Sequence, residues 1–208
     1  MPKLSSLLPC VLVTSLAALT ILGSAASGQQ PPTVRVRGTI EAVDGPLLAV
    51  KSRDGAEMKV RVTDNVTVTG VAKSSMSEIK PGSYSVSAMP EPDGTQKALA
   101  IQIFPEAQRG VAEGFRPWDL RPGSTMTNAT VAETVASTDG QTITVKYKDG
   151  EKKVVVQPAT PIVAFVAGDK SELQPGAKII IFSAVKKDDG TLEASRVNVG
   201  RDGITPPM

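Results

Sequence analysis

Apolar and polar side chains alternate along most of the chain, beginning at Val34, Val36, Ile40 and Ala42, which are interleaved with Arg35, Arg37, Thr39 and Glu41. Met58, Val60 and Val62 alternate in the same way with Glu57, Lys59 and Arg61. Period two predicts strands that bury one face. Asp44-Gly45 and Asp54-Gly55 separate such runs as hairpin turns, and Tyr84, Val86 and Ala88, then Leu99, Ile101 and Ile103, predict two further strands. The pattern returns as Ile143, Val145 and Tyr147, then Val154 and Val156, Ile179 and Phe182, and Val197 and Val199.

The return is a duplication. "SEIKPGSYSV" (77–86) is matched by "SELQPGAKII" (171–180) at an offset of 94, Asp93-Gly94-Thr95 by Asp189-Gly190-Thr191 at 96, and Asp54-Gly55 by Asp149-Gly150 at 95. Offsets that drift by a residue or two are what loop insertions leave between copies of one unit. In the repeated motif, Ser77 and Ser171 are expected to cap a single helical turn, and Ile79 and Leu173 to enter the core. Pro81-Gly82 and Pro175-Gly176 suit positions i+1 and i+2 of a type II turn. Each unit predicts about five strands over about 70 residues, so the fold expected is all-β: two tandem, small five-stranded barrels.

Their expected limits are 34–105 and 128–200. A signal peptide (1–28), a linker (29–33), a connector (106–127) and a tail (201–208), expected to fray, complete the chain. The signal peptide follows from Lys3, the apolar run Leu7–Leu22 and the small-residue stretch "GSAASG". This predicts a periplasmic or secreted protein with no stable membrane insertion after cleavage. Cys10, directly behind Pro9, is poorly placed for lipidation. It is also the only cysteine, so the mature chain has no disulfide to form.

Composition narrows the chemistry. Losing the leader removes one lysine from 23 basic residues and leaves 22 against 21 acidic ones. So even a balance argues against nucleic acid as a partner. The sequence contains no histidine. With no mature cysteine either, histidine-assisted nucleophiles, histidine zinc sites and thiol redox chemistry are excluded. No phosphate-cradling glycine loop occurs, and neither a cofactor nor a metal is implied. "KKDDG" lacks the alternating oxygen ligands of a calcium loop.

Carboxylate pairs remain the one route to hydrolysis: Asp188-Asp189, Glu91 with Asp93, and Glu133 with Asp139. All but Glu133 fall in predicted turns, and Glu133 alternates outward on a strand. Asn65 and Asn128 head glycosylation sequons that matter only in a eukaryotic secretory route.

A five-stranded unit with a short helical turn before its fourth strand resembles the oligonucleotide/oligosaccharide-binding (OB) type of Greek-key barrel. The run "GTIEAVDGPLLAV", followed by L-x-P-G and D-G-T, also resembles a domain of unknown function in exported bacterial proteins. The connector "EGFRPWDLRPGSTMTNATV" (113–131) is similar to small secreted proteobacterial proteins of uncharacterised function. The resemblance implies location and fold, and no mechanism.

The connector places the sole tryptophan, Trp118, among Phe115, Arg116, Asp119 and Arg121. Tryptophan and arginine are enriched at binding hot spots. The competing expectation is a clasp between barrels, with Arg116 or Arg121 pairing with Asp119. The sequence therefore predicts a non-enzymatic binding or interaction module whose partner is an envelope protein or glycan, with those five residues as candidate contacts. The alternatives are a carboxylate-dependent enzyme on envelope glycans and a structural spacer.

Overall fold

A computed structural model describes residues 31–79, 83–137 and 140–208, side chains at 83, 132–137 and 140 excepted. The expected signal peptide, the Pro81-Gly82 turn and the Glu133–Asp139 pair lie outside that description. Among the described residues twelve strands run in chain order: β1 (Thr33–Asp44), β2 (Leu47–Ser52), β3 (Glu57–Lys73), β4 (Ser83–Pro90), β5 (Gln96–Ile103) and β6 (Gly114–Pro117). β7 (Thr125–Ser137), β8 (Gly140–Tyr147), β9 (Gly150–Val156), β10 (Ile162–Ala167), β11 (Lys178–Lys186) and β12 (Leu192–Gly200) follow. The chain is all-β, as its period-two pattern predicts.

Strands β1, β2 and β3 form an antiparallel meander, β11 pairs antiparallel with β1, and β12 closes the ring by lying parallel to β3. This is a closed five-stranded barrel. β4, β5, β7, β8 and β9 form a second ring in the same order, closed by a short parallel contact, Gln96↔Val154 and Lys97↔Val155.

Membership of the rings departs from the sequence units. The closed barrel takes β1–β3 from the first unit and β11–β12 from the second, and the other ring takes the complementary strands. An expected division at 105/106 therefore cuts through both rings. The reason is the length of β3, whose 17 residues run past the barrel into a ribbon. There Val71 pairs with Phe165 of β10, 94 positions on, so equivalent residues of the two units face each other across an antiparallel pair. The ribbon delivers the chain to the far side, where the 3-10 turn at 76–78 starts β4 in the other ring.

Burial follows these memberships. Val36, Ile40, Leu48, Val60, Ile179 and Val197 fill the closed barrel, each 1% to 2% exposed or less. Tyr84, Val86, Ile101, Ile143, Val145 and Val154 fill the second ring. Between them Val71, Val163 and Phe165 of the ribbon pack with Ile180 and Met208. Full burial of one such aliphatic side chain stabilises by about 1.5–3 kcal/mol.

Bulges correct several predicted positions. The register shifts between Ile40 and Ala42, and the extra residue leaves Ala42 and Val43 exposed. Ile79 and Leu173 do enter the two cores. The serines are not the caps: Ser77 and Ser171 lie inside their 3-10 turns. Asp169 caps the second turn, accepting from Ser171 N while Glu172 accepts from Asp169 N, and Ser75 precedes the first without a side-chain cap. Ala177 N donates to Gln174 O across Pro175-Gly176, and Gly176 has φ +88°, the expected type II arrangement.

Nor is the tail frayed. Met208 is 1% exposed within the central core, Arg53 Nη2 donates to Pro206 O at 2.8 Å, and Lys178 Nζ donates to Gly203 O at 3.0 Å.

Candidate functional site

The connector is built as a hairpin rather than a loose linker. β6 pairs with the start of β7, from Gly114↔Asn128 to Pro117↔Thr125, and Trp118 N donates to Ser124 O at 2.8 Å. Ser124 is buried and fixes the turn through its hydroxyl, which donates to Trp118 O or Arg121 O and accepts from Arg121 N. Gly123 takes φ +76°, which a β-carbon would oppose.

This turn carries Trp118 and Asp119 onto the closed barrel. The guanidinium of Arg35 lies 3.9 Å from the centroid of the Trp118 ring and that of Arg37 lies 5.9 Å from it. Phe182 meets the indole at 6.3 Å, tilted by 45°. Arg37 donates from Nη2 and Nη1 to the two carboxylate oxygens of Asp119 at 2.6 and 3.2 Å, and Arg35 Nη1 reaches Oδ2 at 2.5 Å. The hydrogen bond from Arg37 is the chief cause holding the Asp119 carboxyl down at about 2. Partial desolvation opposes it, and the Arg35 hydrogen bond and both guanidinium charges reinforce it.

Of the five residues singled out in the sequence, three converge here and two do not. Trp118 and Asp119 turn onto Arg35 and Arg37 of β1, and Arg116, on the same side of the hairpin as Trp118, feels the charge of Arg35. Phe115, next along β6, projects to the opposite face. There it is 41% exposed, with Lys152 Nζ 4.8 Å over its ring. Arg121 is exposed in the turn. The expected pairing of Asp119 with Arg116 or Arg121 is replaced by the fork from Arg35 and Arg37. Arg116 instead donates to Ala112 O at 2.9 Å.

Sequence reading missed Arg35, Arg37, Arg53 and Phe182. Arg35 and Arg37 carried no signal, because they read as outward positions of an ordinary half-buried strand. Arg53 and Arg116 are both held below the usual guanidinium range, first by burial and then by the neighbouring charges of Arg37 and Arg35 respectively. Arg35 Nε and Trp118 Nε1 are buried N–H groups without an acceptor among the described residues.

The acidic pairs are placed differently. Asp93 and Asp189 sit in hairpin turns, where each accepts from a threonine amide at 2.9 Å and hydroxyl at 2.7 Å (Thr95 and Thr191). Those hydrogen bonds, the hydroxyl's first, hold both carboxyls low. Asn128 is buried and its Nδ2 donates to Val111 O, which closes that sequon to a glycan. Among the described residues no three histidine, cysteine or acidic side chains are gathered for a metal. No helix among them is long and apolar enough to cross a membrane.

Comparison with protein-family models, curated proteins and solved structures gave no match.

Proposed function

We propose that the protein is a non-enzymatic binding module of the cell envelope, periplasmic or secreted, that presents its connector hairpin to an envelope protein or glycan. The observation that carries the reading is the way Trp118 and Asp119 are spent. Both are anchored on Arg35 and Arg37, so the hairpin is held rigidly while Phe115 and Arg121 remain exposed. A pre-ordered loop binds without the entropic cost of being immobilised.

The clasp and the contact surface are thus two parts of one hairpin. The turn placement of Asp93 and Asp189, each engaged by its own threonine, weighs against a hydrolase, which needs two free carboxylates about 5–9 Å apart across one bond.

In-cell cross-linking from position 113, exposed at the start of the hairpin, with mass spectrometry of the captured species, tests the reading. A single envelope partner, linked within 113–124 and lost in both Phe115→Ala and Arg121→Ala, is expected. A partner captured equally by both variants, or none at all, overturns it.

A further inference from the structure

We infer that the arginine cluster beside Trp118 binds a phosphate-class dianion, an inference that rests on the connector being the contact surface. Four guanidiniums assemble there from separate stretches of chain: Arg35 and Arg37 on β1, Arg53 in the β2–β3 turn and Arg116 on β6. Among the described residues Asp119 is the one carboxylate that pairs with any of them. Arg37 has each of its three nitrogens engaged, since it forks onto Asp119 and its Nε donates to Met208 O. Arg53 is turned to Pro206 O.

Arg35 and Arg116 are left with more donors than acceptors. Each guanidinium carries five N–H groups in a planar fork. Among the described residues, Arg35 shares Asp119 with Arg37 and leaves Nε without an acceptor, and Arg116 donates to a backbone carbonyl, Ala112 O. Trp118, stacked on Arg35, holds a further N–H without an acceptor; this group and Arg35 Nε are buried, so the donors that face a ligand from solvent are the Nη groups of the two arginines. Arg116 stands two residues before Trp118, on the same side of the hairpin, and burial first and the charge of Arg35 second disfavour its charged form. Both arginines keep part of their surface in solvent.

A group carrying two negative charges and several acceptor oxygens answers these conditions together. It relieves the repulsion, takes the open forks in charge-assisted hydrogen bonds, and adds charge that a single carboxylate cannot supply. Phosphate, with a charge of about −1.5 to −2 at neutral pH and its oxygens arrayed for a fork, has these properties.

Trp118 is the chain's single tryptophan and reports on the site directly. Its fluorescence is titrated with inorganic phosphate and, separately, with glycerol 3-phosphate, with chloride exchanged to hold ionic strength constant. A saturable change with inorganic phosphate is expected, weakened at least tenfold in Arg116→Gln and in Arg35→Gln and unchanged in Lys59→Gln on the outer face of β3. Tighter binding of the ester marks a phosphate carried on a larger ligand, and equal binding marks the free ion. A response no larger than that of chloride, or one that survives both arginine substitutions, overturns the inference. Phosphorus NMR line broadening on the same variants provides a readout independent of Trp118.

The two readings fail separately. Loss of phosphate binding with connector-dependent capture intact removes the anion alone. Phosphate binding without such capture removes the envelope partner and leaves a small-ligand site.

Discussion

Arg37 grips Asp119 across 82 positions of sequence, with nitrogen-to-oxygen distances of 2.6 and 3.2 Å. The pair joins the first strand of the closed barrel to the connector, and Arg35 adds a second guanidinium to the same carboxylate. Because the Asp119 carboxyl is held at about 2 in the folded chain, below its ordinary value of 3.8, its contribution is fully present above pH 4. It is lost as pH falls through about 2, where the folded state also takes up the proton. The side chain is half exposed, so screening limits the contribution to about 1 kcal/mol. Urea unfolding between pH 5 and pH 2 is expected to show this loss in the wild type and not in Asp119→Asn. An equal decline in the two chains would show that the fork contributes nothing.

Removing the indole has a larger effect. Trp118→Ala deletes a half-buried ring together with its contacts to Phe182 and Arg35, and a loss of about 2–3 kcal/mol is expected. A double-mutant cycle with Arg35→Gln is expected to give a coupling of about 0.5–1 kcal/mol. Additive losses would mean that the stacking is incidental.

Strand exchange between the units is open to a chemical test. Thr39 is the register partner of Lys178, whereas closure of the first unit on itself would bring Thr39 to β4. With Cys10 replaced by Ser, the Thr39→Cys, Lys178→Cys pair is expected to form an intrachain disulfide on mild oxidation, detected by mass spectrometry. The Thr39→Cys, Ser83→Cys pair is expected to stay reduced. The reverse result would establish two self-contained units.

Two glycines mark places where backbones meet. A β-carbon on Gly200 would lie 1.8 Å from Ile204 O, and one on Gly38 would lie 2.3 Å from Lys51 O. Gly200→Ala and Gly38→Ala are each expected to lose about 2–4 kcal/mol, because the opposing atoms belong to the main chain. Gly55→Ala, with φ +89° and open space, is expected to lose about 1 kcal/mol. Denaturant midpoints of the three variants check this order.

What could be read from sequence is what local periodicity encodes. Val60 and Val62, Ile143 and Val145, and Val154 and Val156 all point inward as their alternation requires. The Pro175-Gly176 turn follows from the conformational limits of its two residues. Pairing between units was hidden for a physical reason: Ile79 and Leu173 head the same motif and suit either core, so composition does not say which copy completes which ring. The deciding element, the ribbon of β3 and β10, includes "IVAFVA", a continuous apolar run with no period to read. Arg35 and Arg37 were equally opaque, because their alternation with Val34 and Val36 fits a solvated face. The tail lacked alternation and read as frayed, although arginine and lysine donors to its carbonyls hold it in place.

The exchanged strands also set a timetable for synthesis. A chain made from its N-terminus produces β1, β2 and β3 more than a hundred residues before β11 and β12, so the closed barrel stays incomplete until nearly all of the protein exists. Pairings this distant close slowly, since the intervening loop must lose its freedom before contacts compensate. A barrel that waits for its last two strands leaves the chain pliable through most of its own synthesis.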